Sequence, residues 1–253
     1  MLDLDGVLWR GSRPIEGSAD AVAALRAAGH RIAFLTNNSF SSVAELVDKL
    51  EAMGVPAQPA DICTSAQAAA GLLERGSTAL VVGGPGVAEA LAARGVEVVA
   101  DASKVDGGKV DAVVVGFDPS FDYKKLTAAF QAVRDGARLI GTNADPTFPT
   151  SKGEIPGGGS IVASVAYATG TTAEVAGKPN DPAARLLAER LGPIAWLIGD
   201  RPDTDGAMAT AVGARFGLVL SGVAQSADGL DPAPAAVAAD LATIVAELIA
   251  ARA

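Results

Sequence analysis

The sequence predicts an α/β fold built on a mainly parallel sheet. Two observations carry this: short, nearly continuous apolar runs recur along the chain, and amphipathic stretches ending in glycine separate them. Runs this short and this apolar read as strands buried on both faces. Their alternation with helical stretches points to crossover connections and hence to parallel strands.

Taken in order, the strand candidates are "RIAFLT" (31–36), "ALVVG" (79–83), "VEVVA" (96–100), "AVVVGF" (112–117), "RLIGT" (138–142), "AWLIG" (195–199) and "FGLVLS" (216–221). The helix candidates include "SADAVAALRAAG", with Ser18 as N-cap and Gly29 as terminator, and "SSVAELVDKLEAMG", ending at Gly54. The polar, glycine-rich segments "KVDGGKVD" (104–111) and "TSKGEIPGGGS" (150–160) read as loops and suggest an inserted second α/β unit. The stretch 229–253 reads as an Ala/Pro-rich loop leading into a C-terminal helix. At 253 residues, the chain is long for one average domain and short for two, which fits one domain with a sizeable insertion.

With 49% hydrophobic and 19% charged residues, the composition is that of a compact protein. No apolar stretch approaches the roughly 20 residues that cross a bilayer, and the N-terminus does not resemble a signal peptide. A cytoplasmic location without membrane partners is the expectation. The single Cys63 cannot form an internal disulfide or hold a structural zinc alone, and reads as a small buried residue. The single His30 reads as a turn residue. A net charge of −9 argues against a nucleic-acid partner, and requires that any anionic substrate be met by a local cation and placed donors.

The opening "MLDLDGVLWRG" sets Asp3 and Asp5 in an apolar run. Residues two apart on a strand share a face, so both carboxylates can face the crevice at the strand's C-terminal end, where open α/β sheets bind ligands. "FLTNNS" puts Thr36, Asn37, Asn38 and Ser39 at another strand end, where hydroxyl, amide and N–H groups can hold phosphate oxygens. "VAGKPN" supplies Lys178, a mobile point cation suited to phosphate. "AWLIGDRPDTDGAMA" sets Asp200 at a strand tip with Asp205 five residues later. Taken singly, the first three segments are explained at least as well by solvated turn or surface chemistry, and the last almost as well.

In this order, "DLDGVLWRG", "FLTNN", "TSAQAAAGLL", "GTNADPTFPTSKG", "PGGGSI", "GKP" and "GDRPDTD" resemble the haloacid dehalogenase superfamily of phosphohydrolases. Within it the chain is similar to the branch with a large inserted α/β cap: p-nitrophenyl, phosphoglycolate, glycerol-3-phosphate and pyridoxal phosphatases and NagD-type nucleotidases. The resemblance implies a Rossmann-like, doubly wound parallel-sheet core over 1–75 and 174–253 and a cap over 76–173. It implies an aspartyl-phosphate mechanism with Asp3 as nucleophile and Asp5 as acid and base. Asp5 must begin protonated, a state that a neighbouring carboxylate favours. It also implies Mg²⁺ held by Asp3, the Asp5 carbonyl and Asp200, with Asp205 orienting a metal-bound water or Lys178. Thr36, Asn37, Asn38 and Lys178 would bind the phosphoryl group.

The cap loop that includes "ADPTFPTSKGEIPGGGS" would set specificity. Pyridoxal-directed members carry a His where Phe148 stands, which favours a small polyol or hydroxyacid phosphate, such as glycerol 3-phosphate or phosphoglycolate, over vitamin B6 phosphate. Members of the branch often pair through the cap, so a homodimer is one assembly the resemblance allows.

Other readings fit less well. "VVGGPGVAEAL" fails the G-x-G-x-x-G register at Glu89, and "GEIPGGGS" has Gly159 where a P-loop needs lysine. A phospho-receiver domain uses similar groups but is about half this length, and a catalytically silent metabolite-binding protein would not need the full set. Only Met1 and Leu2 precede Asp3, whereas a central strand ordinarily runs about five or six residues. Further apolar residues upstream are therefore expected to raise stability.

Overall fold

The computed structural model describes residues 1–99, 109–150 and 153–251. Two parallel sheets organise it. In the first, Phe34–Thr36 pairs with Ile62–Thr64 on one side, and Trp196–Gly199, Arg215–Val219 and Ala236–Ala238 pair in that order on the other. Leu2 joins the halves through parallel bridges to Phe34 and Ile198.

The chain thus starts in the middle of the sheet, builds outward on one side, and returns to build the other. This leaves a topological switch point beside Leu2, where doubly wound sheets open a crevice. Although short, the first lane is bonded to both neighbours. Leu2 N–H donates to Ala33 and Leu2 C=O accepts from Leu35, while Asp3 N–H donates to Ile198 and Met1 C=O accepts from it, all at 2.9–3.0 Å.

The second sheet has five parallel strands in the order Glu174–Val175, Arg138–Gly141, Ala112–Val115, Thr78–Val82 and Glu97–Val99. Its apolar runs are buried because helices Tyr123–Arg134 and Gly158–Thr169 pack on one face, closing a cluster of Leu80, Val113, Val115, Ala129 and Val165. A larger cluster spans both sheets, joining Leu35, Leu197 and Leu218 to Val81, Val114 and Ile140 through the alanine-rich helix Ser65–Ala70. Cys63 is fully buried within this cluster. Among the described residues no helix is long and apolar enough to cross a membrane.

Several local expectations need correction. Ser18 is not an N-cap: Gly17, with φ of +74°, takes that position and Ser18 is the first helical residue. Its hydroxyl instead donates to the Leu8 carbonyl, because the preceding hairpin leaves that acceptor within reach. Gly29, at φ of +82°, does follow the helix end. In the segment expected as a glycine-rich loop, Gly153–Pro156 forms a strand pairing antiparallel with Thr147–Thr150, and a helix starts at Gly158. The C-terminal loop contains the strand Ala236–Ala238 before helix Leu241–Ala250. The expected loop 104–111 lies largely outside the described residues.

Arg190, near the end of helix Asp181–Leu191, ties that helix to the Ile62–Thr64 strand. Its guanidinium donates to the carbonyls of Pro59, Ala60 and Ile62 and to Gln67 Oε1 at 2.9–3.3 Å. Arg190→Ala removes these four hydrogen bonds, and is expected to lower stability by about 1–3 kcal/mol, read as a lower urea midpoint.

Candidate active site

The strands of the first sheet deliver Asp3, Thr36 and Asp200 to their C-terminal ends, at the switch point. Just past Asp3 the chain must turn away at once. Gly6 makes the turn with φ of +83°, and a Cβ there would lie 2.3 Å from Asp200 Oδ2, so this position requires glycine on both counts. The turn is locked by Gly6 N–H donating to Trp9 and by Ser221 Oγ donating to the Gly6 carbonyl.

Lys178 sits at the centre. Its ammonium donates at 2.6 Å to Asp3 Oδ1 and at 2.6 Å to Asp205 Oδ1, with a third contact to the Leu35 carbonyl at 3.3 Å. The sequence suggested a mobile cation, but this one is buried and fixed, since all three of its donors are used. Burial pulls its pKa down, but Asp205 and Asp3 outweigh that and hold it above the ordinary lysine value. Asp205 is fully engaged, its other oxygen accepting the Arg201 N–H.

Asp3, Asp200 and Asp205 each bring a carboxylate oxygen to within 4.8 Å of the others. Three buried carboxylates against one lysine leave an excess of negative charge. Burial raises the Asp3 pKa well above the usual carboxylate range despite Lys178, with Asp205 and Asp200 adding to the rise. Asp200 is pushed up to about 7 by burial and by Asp205, against the Val223 N–H that donates to its Oδ2. Its Oδ1 is buried with no hydrogen-bond partner among the described residues. An orphaned buried oxygen beside this excess charge, in an all-oxygen donor set, fits a hard divalent cation such as Mg²⁺.

Asp5 lines the same cavity, with Oδ1 accepting the Trp9 indole N–H at 2.8 Å. Its pKa is raised by burial, while Lys49, Trp9 and Lys178 oppose the rise. Desolvation, rather than the neighbouring carboxylate expected from the sequence, is what drives this rise. Thr36 Oγ1 accepts the Asn38 N–H, leaving its own hydrogen to donate. Asn38 lines the cavity, with its Oδ1 held by Phe40 N–H.

The Asn37 side chain faces protein groups. Its Nδ2 donates to both oxygens of Asp145 and to the Lys178 carbonyl at 3.2 Å, and its Oδ1 accepts the Lys178 N–H at 2.8 Å. Asp145 comes from the inserted unit, as does Asn143, whose Nδ2 donates to the Asn37 carbonyl.

Asn143, Asp145 and Arg201 carried no assigned role in the sequence reading. The signal that could have found the first two was the same strand-end placement, just past Arg138–Gly141. Together the site residues line an open cavity of about 60 Å³. A larger cavity of about 420 Å³ opens at the opposite ends of the strands, against Met1, Trp196 and Leu248, but it is mainly apolar and has no carboxylate in its lining.

Residues 1–97 match a family described as haloacid dehalogenase-like hydrolase and residues 175–244 one described as HAD-hydrolase-like. The chain is 37% identical over 240 residues to D-glycerol 3-phosphate phosphatase of Mycobacterium tuberculosis, covering 92% of this chain and 66% of that protein. It is 35% identical over 212 residues to acid sugar phosphatase of Staphylococcus saprophyticus, covering 81% and 79%. Among solved structures, a glycerol phosphate phosphatase from M. tuberculosis in complex with magnesium superposes with a TM-score of 0.86 at 35% identity, covering 95% of this chain and 74% of that one.

The raised carboxylates fix a pH dependence. A group that holds its proton more tightly in the folded state stabilises the fold fully below its unfolded pKa, and that contribution is lost as pH rises through the folded value. For Asp200 the window runs from about 3.8 to about 7. In chelator, the urea midpoint is therefore expected to be lower at pH 8 than at pH 5, and added Mg²⁺ should raise it more at pH 8. Equal Mg²⁺ effects at both pH values would contradict this account of the cluster.

Proposed function

The chain belongs to the haloacid dehalogenase-like hydrolases and is a phosphatase of that family, and from its buried charges we propose that Asp3 attacks the phosphorus of a small phosphomonoester. One observation carries this reading: the ammonium of Lys178 grips Asp3 Oδ1 and leaves the second oxygen as the attacking atom. As the Asp3 oxygen bonds to phosphorus, the ester P–O bond breaks and Asp5 passes its proton to the departing alcohol oxygen. Water then attacks the aspartyl-phosphate, Asp5 takes its proton, and the bond to Asp3 breaks to release phosphate. Burial of Asp5 and its tether to Trp9 suit this exchange, because burial favours the protonated form of the acid and the indole N–H orients its carboxyl group.

Thr36 would donate to a phosphoryl oxygen, and Lys178 would offset its charge. Asn37 would act mainly by fixing the Lys178 backbone, and Asn38 by shaping the loop. We assign Asp3, Asp200 and the Asp5 carbonyl to hold Mg²⁺, with Asp205 behind them orienting Lys178. Bound there, Mg²⁺ supplies positive charge that keeps Asp3 ionised and balances the transferring group.

The inserted unit, 76–173, would act as a cap that excludes water during attack. The cavity, about 60 Å³ against roughly 300–1,000 Å³ for sites holding drug-sized ligands, favours a compact polyol or hydroxyacid phosphate over a nucleotide. This agrees with the names of the M. tuberculosis and S. saprophyticus relatives. For assembly we propose a homodimer through the inserted unit, supported by Tyr123 and Tyr167 on its helices, which are 82% and 93% exposed.

Asp3→Asn should abolish Mg²⁺-dependent turnover of p-nitrophenyl phosphate while the circular dichroism spectrum stays unchanged; near-normal turnover would overturn the nucleophile assignment. Light scattering should give a mass near twice 25.2 kDa, and a monomer at working concentration would reject the pairing.

A further inference from the structure

The reaction as proposed leaves two charged side chains of the cavity unused. Asp145 is held in place at its backbone, its N–H donating to Asn143 Oδ1 and its carbonyl accepting the Gly159 N–H at the start of helix Gly158–Thr169. Among the described residues its carboxylate receives only the single Asn37 amide, shared between its two oxygens at 3.2 Å. A carboxylate can accept about four hydrogen bonds, so most of its capacity faces the cavity unfilled. Arg201 also lines the cavity, and its Nε is buried with no hydrogen-bond partner among the described residues. Its recorded ion-pair partner, Asp203, is 3.7 Å away, beyond hydrogen-bond reach, and mostly exposed.

Asp145 and Arg201 do not pair with each other within 4 Å, although each acts electrostatically on the other. An acceptor-only and a donor-only group, both undersatisfied, therefore border one polar space. The neighbouring wall is apolar, formed by Phe117 and Phe148 stacked at 4.7 Å and 9°. Both aromatic rings line the same cavity.

We infer that Asp145 and Arg201 together read a hydroxyl on the leaving group, selecting a polyol phosphate over a phosphorylated hydroxyacid. A hydroxyl can do both tasks at once: it donates to Asp145 and accepts from Arg201. A substrate carboxylate satisfies Arg201 but can only repel Asp145. Sites built to satisfy hydrogen bonds discriminate strongly, because a wrong ligand leaves buried groups unpaired. The carbon backbone of a short polyol would lie on the Phe148 ring. Asp145 is on this view a specificity residue, which takes no part in the bonds that form and break.

This inference rests on the phosphatase reading, and the two fail differently. The measurement is kcat/KM with Mg²⁺ for glycerol 3-phosphate, phosphoglycolate and p-nitrophenyl phosphate, in the wild-type protein and in Asp145→Asn. The wild type should favour glycerol 3-phosphate over phosphoglycolate at least tenfold. In Asp145→Asn, which keeps an oxygen for the Asn37 amide, that ratio should fall at least tenfold. A wild type that prefers phosphoglycolate, or a variant in which both substrates decline together with the ratio unchanged, would overturn the assignment and leave Asp145 a structural residue. If the variant does not fold, the wild-type preference alone still decides. No turnover of any of the three substrates by the wild type would instead overturn the phosphatase reading itself.

Discussion

Everything at the site depends on the ammonium of Lys178 held between Asp3 and Asp205. Moving these charges from water into the interior costs several kcal/mol per ion, and only close geometry returns it. Both contacts are 2.6 Å, and the remaining donor of the lysine and the remaining oxygen of Asp205 also have partners. Residues 3, 178 and 205 are separated in the chain, so the triad closes only when the first lane, the segment after Glu174–Val175 and the turn after Trp196–Gly199 come together. Its charge does not balance, and Asp200 beside it increases the deficit. That deficit gives the protein its demand for a cation: the pocket is built to be completed.

The fold meets the demand through the position of its first strand. Because Leu2 bridges both halves of the sheet, Asp3 lies at the switch point with a strand end on either side: Thr36 on one, Asp200 on the other. The inserted unit then brings Asn143, Asp145 and the Phe117–Phe148 pair over the opening. The apolar cluster that runs from Leu35 to Val114 through helix Ser65–Ala70 anchors this unit along its flank.

Much of this was legible in the sequence, for one physical reason. Asp3, Thr36 and Asp200 each follow an apolar run, and strand ends are where α/β sheets put ligands. The strands themselves were legible because burial on both faces leaves them uniformly apolar. What could not be read depends on three-dimensional neighbours. Ser18 has the chemistry of an N-cap but is captured by Leu8 across a hairpin. Gly153–Pro156 is exposed throughout, so it lacks the apolar content that marks a strand and exists by pairing with Thr147–Thr150. Asn37 looked like a phosphate ligand, and only the approach of Asp145 and Lys178 shows that its amide is committed elsewhere. Lys178 looked mobile because nothing local in "AGKPN" reveals two carboxylates from opposite ends of the chain.

That one asparagine has a mechanical consequence. Its head group clasps Asp145 and the peptide of Lys178, and its carbonyl accepts from Asn143 and from Ser65. Any movement of the Asn143–Asp145 loop away from the site would have to break these bonds to the same residue that steadies the lysine peptide. The loop that carries Asp145 and the lysine that holds Asp3 are thereby joined through one side chain, so a displacement of either is felt by the other.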